Sequence, residues 1–379
     1  MVRILVAGDF APWNRVEKLL ESERYADIFS EVISYTSESD YSIVNLEAPV
    51  VVDLSAAPIQ KCGPSLKCSV NAVRAVKYAG FDMVTLANNH FYDYGFHGVR
   101  DTLNACSKEC VDFVGGGLNI DQASQTFYKE IKGVKFAFIN CCEHEFSIAA
   151  DTSAGANPIN PIRQYNAISE AKQKADKVVV IVHGGPEGYR YPTPRMKELY
   201  RFYIDSGADA VINHHQHCYS GYEVYKEKPI FYGLGNFCFD TDEPERTDWN
   251  EGYMVQLIFN GPSVEYKLLP YFQCFEKPGV EFISGDDVSL FYQTIRDFNV
   301  IISDDQKLEQ KHVEFCEKSD EMYLLTLEPY YNKYFRYARY RRLIPSLLSR
   351  KRALHILDYI MCESHRERLM HSIIKKYID

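Results

Sequence analysis

The chain has 379 residues, 46% hydrophobic and 25% charged, with 28 Tyr and 22 Phe. That composition excludes a mainly disordered chain and leaves length for one large domain, or one domain with an appendage. The net charge of −10 is uneven: residues 331–379 hold 12 Lys and Arg against 4 Asp and Glu, a net +8, so residues 1–330 carry −18. An acidic body argues against nucleic-acid binding.

In chain order, short apolar runs alternate with helical patterns. Residues 3–7 read as a strand ending at Gly8 and Asp9; the opening residues form a core strand rather than a signal peptide. A helical pattern over 15–35 precedes a strand at 41–46, which ends at Glu47. Helical residues 69–79 lead to a strand at 83–87 and then Asn88, Asn89 and His90. A helix over 95–108, a Gly115–Gly117 turn and a strand at 134–140 follow. The pattern continues with a helix at 161–174, a strand at 178–182 ending at His183, a helix at 193–206 and a strand at 210–212. His214, His215, Gln216 and His217 come next. A strand at 228–232 and a hairpin over 253–269 close the alternation, which specifies an α/β fold. After Pro278 the strand pattern stops. Helices are expected at 286–298, 303–318 and 329–342, and Pro345 interrupts. Residues 350–377 read as one long amphipathic helix.

No run of 18 apolar residues is present, so no transmembrane helix is expected. Eleven cysteines without a CxxC pair read as buried, reduced thiols. Together these point to a cytoplasmic location, with the inner face of a membrane as an alternative.

Asp9, Glu47, Asn89, His90, His183, His215 and His217 each lie just past the C-terminal end of a predicted strand. In an α/β sheet such ends converge on one rim, where ligands bind. Two carboxylates, an amide and several imidazoles form a mixed O/N donor set that suits one or two divalent ions such as Mn, Fe or Zn. A histidine without a metal to hold can protonate a leaving oxygen. The combination describes metal-assisted phosphoester hydrolysis.

At these residues the sequence resembles the CapA family of capsule and poly-γ-glutamate biosynthesis proteins, a branch of the calcineurin-like metallophosphoesterases. The motifs are Gly8-Asp9, Asn45-Leu46-Glu47, Ala87-Asn88-Asn89-His90 with Asp93, His183-Gly184-Gly185 with Glu187, His214-His215-Gln216-His217, and Gly233-Leu234-Gly235-Asn236-Phe237. The resemblance covers residues 1–272. It implies a layered α/β/β/α sandwich over residues 1–275; the helical, basic extension over 276–379 lies outside the resemblance. It implies metal ligands at Asp9, Glu47 (bridging), Asn89, His183, His215 and His217, and catalytic residues at His90 (general acid) and Asp93. His214 is expected to face away, since alternation along an extended segment puts 215 and 217 on one side. Ala11 stands where the superfamily usually has a histidine, which removes one imidazole from one of two metal sites.

Glu187, Arg190, Tyr191 and Asn236 are candidate substrate-binding residues. Glu187 alternatively orients a metal-binding histidine. Arg190, like Arg163 and Arg195, has the guanidinium fork that suits a phosphate or carboxylate. Tyr191 offers a stacking wall. The expected function is a metal-dependent hydrolase acting on a phosphorylated or polymer-related substrate in surface-polymer synthesis. The alternative is an accessory protein that retains the ligand site. The basic tail packs on the protein, docks on a membrane or forms a dimer.

Overall fold

In a computed structural model of the chain, the described residues are 1–377 apart from Leu54, Asp242, Pro244, Glu245 and Tyr331. The strand Val2–Ala11 is the axis of the fold. Its first half pairs antiparallel with Glu251–Asn260, and its other edge pairs parallel with Tyr41–Leu46. Outward from these lie Met83–Thr85 and Asp112–Val114 on one side, and Ser263–Gln273 and Val280–Phe282 on the other. Beyond the antiparallel pairing, Asp9, Phe10 and Ala11 pair parallel with Asn236–Phe239. The second sheet runs in the order Tyr222–Tyr225, Lys228–Phe231, Ala210–His214, Lys177–His183, Val134–Cys142 and Phe127–Ile131.

Strand alternation explains the layering. Ile4 and Val6 point into one apolar cluster with Phe138, Val180 and Ile212 of the second sheet. Leu5 and Ala7 point into another, with Val16, Leu20, Val73, Val76 and Val99 of the helices covering the outer face. Ile168, Tyr200 and Tyr203, from helices Pro161–Lys174 and Pro194–Ser206, cover the second sheet. The layers are therefore helices, sheet, sheet, helices, the α/β/β/α sandwich the resemblance implies. Burying both faces of each sheet accounts for near-continuous apolar runs such as Val178–Val182. Seven of the eleven cysteines are buried as free thiols.

Several elements depart from the sequence reading. Strand pattern does not stop at Pro278: Val280–Phe282 pairs with Tyr271–Gln273, a run too short to show alternation. Phe127–Ile131, Tyr222–Tyr225 and Asn236–Phe239 are further strands of five residues or fewer. Residues 15–35 divide among three helices, Asn14–Glu21, Ala26–Phe29 and Val32–Ser37. The expected single helix over 350–377 is two, Arg350–Met361 and Glu363–Tyr377, because Cys362 takes an extended conformation (φ −78°, ψ 116°).

By compactness the chain forms two units, Met1–Gln310 and Lys311–Asp379. The first continues past residue 275 through Val280–Phe282 and the helix Asp286–Ile302, whose Phe291, Ile295, Phe298 and Ile302 join the core. In the second, buried Glu328 accepts hydrogen bonds from Arg339 Nε, the Ser346 hydroxyl and the Leu347 backbone N–H. Among the described residues no helix is long and apolar enough to cross a membrane.

Candidate metal centre

Parallel pairing brings the strand ends to one rim. Asp9 is in register with Asn45 on one neighbour and Asn236 on the other, and His183 is in register with His214. The approach of the 233–237 segment needs Gly8: a Cβ there would sit 2.0 Å from the Gly235 carbonyl oxygen. The Asp9 backbone N–H donates to that same oxygen (3.2 Å). Motif residues far apart in sequence thus meet because a glycine lets two backbones cross.

All six expected ligands are buried, none more than 7% exposed. Asp9 Oδ1 accepts from Asn45 Nδ2 (2.7 Å), and Oδ2 accepts from the His215 backbone N–H (3.0 Å). His183 Nε2 lies 3.0 Å from His215 Nδ1, 3.1 Å from Asn89 Oδ1 and 3.6 Å from Glu47 Oε1. His217 Nε2 approaches the same Glu47 oxygen (3.6 Å). Two ligand groups result: Glu47 with His183 and His215, and Asp9 with Glu47 and His217. Glu47 belongs to both.

Both Glu47 carboxylate oxygens are fully buried and lack a hydrogen-bond partner. An unpaired carboxylate in such a place costs several kcal/mol. Burial, then the nearby Asp9 and Glu187 charges, push its pKa well above the usual carboxylate value. His183 is driven far below the usual imidazole value by burial and then by His215. Burial followed by His217 takes His215 down to about 3. Burial would raise Asp9, but the His214, His183 and His217 imidazoles outweigh it and hold the carboxyl low. The neutral imidazoles of His183 and His215 are in the donor state a divalent cation requires, and a cation would take the place of the Glu47 proton. The residues present fit such an ion.

His214 corrects the sequence reading. It does not face away: its buried ring places Nδ1 3.2 Å from Asp9 Oδ1. Alternation fails because the chain leaves the strand at His214, and His215 (φ 92°) and His217 (φ 55°) adopt left-handed conformations. Such angles in non-glycine residues cost free energy and concentrate at functional sites.

His90 and Asp93 sit beside the ligands. His90 Nδ1 is 2.7 Å from Asp93 Oδ2, and a carboxylate only accepts, so Nδ1 carries the proton. The same Asp93 oxygen accepts from the Leu66 backbone N–H (2.7 Å). Lys61 is buried against Asp93 Oδ1 as an ion pair, with Nζ 3.2 Å from His90 Nδ1. Nothing in its loop, 58–64, marks Lys61 as part of the site by sequence.

The expected substrate-binding residues are placed differently from one another. Asn236 is fully buried and takes protein partners: its Oδ1 lies 2.9 Å from His217 Nδ1, and its Nδ2 donates to the His217 and Trp249 carbonyls. It orients a ligand histidine. Arg190 pairs with Glu251 (3.2 Å) and Asp248 (3.4 Å) and stacks over Tyr219. The Tyr191 ring packs on Phe298, and its carbonyl accepts from Gln216. Glu187 is exposed on a turn, and the side chain within reach of His183 Nδ1 is that of Asn45 (3.3 Å). Arg195 pairs with Glu143, Arg163 is exposed, and Gly116–Gly117 pairs with Gly155–Ala156. Asn45 needed only the two-residue period to be found, since it shares a strand face with Glu47.

Residues 3–241 match the family of the bacterial capsule synthesis protein PGA_cap. The chain belongs to that family. The chain is 35% identical over 243 residues to the capsule biosynthesis protein CapA of Bacillus anthracis, covering 62% of this chain and 59% of that one. It is also 35% identical over 237 residues to the PGA biosynthesis protein CapA of Bacillus subtilis, covering 62% of each. The chain thus spans about three-fifths of the length of these relatives. A solved structure, a phosphatase of Mycoplasma pneumoniae, aligns with 73% of this chain and 95% of its own at 14% identity and a TM-score of 0.46. The six ligand residues, with Asn45, Lys61, His90, Asp93, His214 and Asn236, lie inside the PGA_cap match, whereas Asp248, Trp249, Glu251 and Phe298 lie beyond it.

Proposed function

We propose that this PGA_cap chain is a metal-dependent phosphoesterase serving capsule or related surface-polymer synthesis, with a phosphorylated precursor or polymer end as substrate. One observation carries the reading: Glu47, buried and without hydrogen-bond partners, is shared by two ligand groups. Divalent ions held by Asp9, Glu47, Asn89, His183, His215 and His217 would polarise phosphoryl oxygens and activate water.

The chain's own residues do the rest. Asn45 and the His215 backbone N–H hold the Asp9 carboxylate in one orientation. Asn236 fixes the ring of His217, and Asn45 that of His183. Asp93, anchored by Lys61 and the Leu66 N–H, accepts the Nδ1 proton of His90. With Nδ1–H held on Asp93, the doubly protonated ring would act as the general acid, giving its Nε2 proton to the leaving oxygen and returning to the Nδ1–H form. The surrounding burial strengthens each of these contacts by excluding water.

A second reading, an accessory protein that keeps the centre for ligand binding, is favoured by Ala11, which supplies no imidazole. Metal analysis of the purified chain, with hydrolysis of bis(p-nitrophenyl) phosphate by wild type and His90→Ala, separates the two. Bound metal with turnover that drops about 10²–10⁴-fold in His90→Ala is expected. Bound metal with no turnover selects the accessory reading. Absence of both metal and His90-dependent turnover overturns the metal-centre assignment.

A further inference from the structure

Residues 331–377 invert the usual placement of side chains. Neither Lys333–Tyr340 nor Arg350–Met361 has a buried residue. On the latter helix Leu354, Leu357 and Met361, three and four positions apart, form one stripe that is 49–67% exposed. Met370 and Ile373 continue the exposed apolar surface on the next helix. An apolar surface of this extent marks an interaction site. Beside the stripe, the exposed Arg350, Lys351 and Arg352 fill the first turn of their helix. Cations there oppose the helix dipole, so the triplet does not serve helix stability. It calls for an anion outside the helix.

We propose that this segment docks on an anionic phospholipid surface, the 354/357/361 stripe entering the interface and residues 350–352 meeting the headgroups. The occupant must be apolar and anionic at once. A second copy joined through the same patch would set +8 against +8, since a two-fold interface is self-complementary. A soluble acidic polymer would match the charge and leave the stripe in water.

Flotation of the full chain with phosphatidylglycerol/phosphatidylcholine vesicles tests this. Binding that is lost at high salt and absent on pure phosphatidylcholine is expected. The variant R350Q/K351Q/R352Q should bind about a hundredfold more weakly, at about 1 kcal/mol per basic residue near an anionic surface. The variant L354S/L357S/M361S should also lose at least about tenfold through lost apolar burial. No binding, or equal binding to neutral vesicles, overturns the proposal. Undiminished binding of the serine variant also overturns it, and assigns the segment to a polyanion. A salt-resistant dimer in sedimentation velocity that the serine variant dissolves assigns the stripe to a second copy and likewise overturns it. Unfolding of the serine variant, read by circular dichroism, overturns it by placing the stripe in a packed interior.

Discussion

The rim of the PGA_cap region and the C-terminal helices place opposite chemistry in opposite surroundings. At the rim, carboxylates and imidazoles are buried where water cannot reach them. In the C-terminal helices, leucine, isoleucine, methionine and aromatic side chains stand exposed among basic residues. Each arrangement is unfavourable for the isolated chain, because buried charges and exposed apolar surface both cost free energy. Each would become favourable with the proposed partner bound, a cation in one case and an anionic apolar surface in the other. Regions that are suboptimal alone are where binding partners are to be sought.

The comparison breaks most sharply at Glu47. Glu47→Gln should lower divalent-metal affinity more than a hundredfold, beyond the 10–100-fold typical of outer partners, measured by calorimetric titration. Unchanged affinity would remove the centre's defining feature. Lys61→Met should come next. It removes one partner of a buried ion pair and should cost about 3–5 kcal/mol in chemical denaturation. A loss below about 1 kcal/mol would show that Lys61 and Asp93 do not depend on each other.

The acid stability of the metal-free protein sharpens the electrostatic side. His183 and His215 have folded values below the unfolded one, near 6.5 for His215 and falling to about 3. The unfolded chain therefore takes up protons first, and their contribution is lost as pH falls from about 6.5 toward about 3. Glu47, raised on folding, acts oppositely: its contribution is present below the unfolded carboxyl value of 4.5 and is lost as pH rises. The two partly cancel above pH 4.5, so Glu47→Gln should steepen the melting-temperature rise between about pH 4.5 and 6.5. An unchanged slope would contradict the burial argument for Glu47. Smaller still, Asn236→Ala should weaken metal binding about 10–100-fold through a misoriented His217. At the other end, L354S/L357S/M361S should change unfolding free energy by no more than about 0.5 kcal/mol, as for exposed positions generally.

Most of the architecture was legible in the sequence because buried parallel strands such as 178–182 are unbroken apolar runs, and each ligand follows such a run. Four short strands, Phe127–Ile131, Tyr222–Tyr225, Asn236–Phe239 and Val280–Phe282, were not. Asn236–Phe239 is placed by a partner distant in sequence, Asp9–Ala11, and Val280–Phe282 is too short to show alternation. The ligand set was readable from spacing and resemblance, whereas its support was not. Lys61 reaches Asp93 from an irregular loop, and His214 turns toward Asp9 because backbone angles at 215 and 217 cancel strand alternation. Pattern rules carry through regular backbone and stop where it bends.

The sharing of Glu47 has a thermodynamic consequence. With one carboxylate common to both ligand groups, the two loading equilibria are linked, and each ion must alter the affinity of the other by the same factor. A first ion would displace the Glu47 proton and order its oxygens for a second, while its charge would oppose that second cation. Loading should therefore follow two coupled steps rather than two independent ones, and the state of the centre would depend on cation concentration as a dial rather than a fixed property.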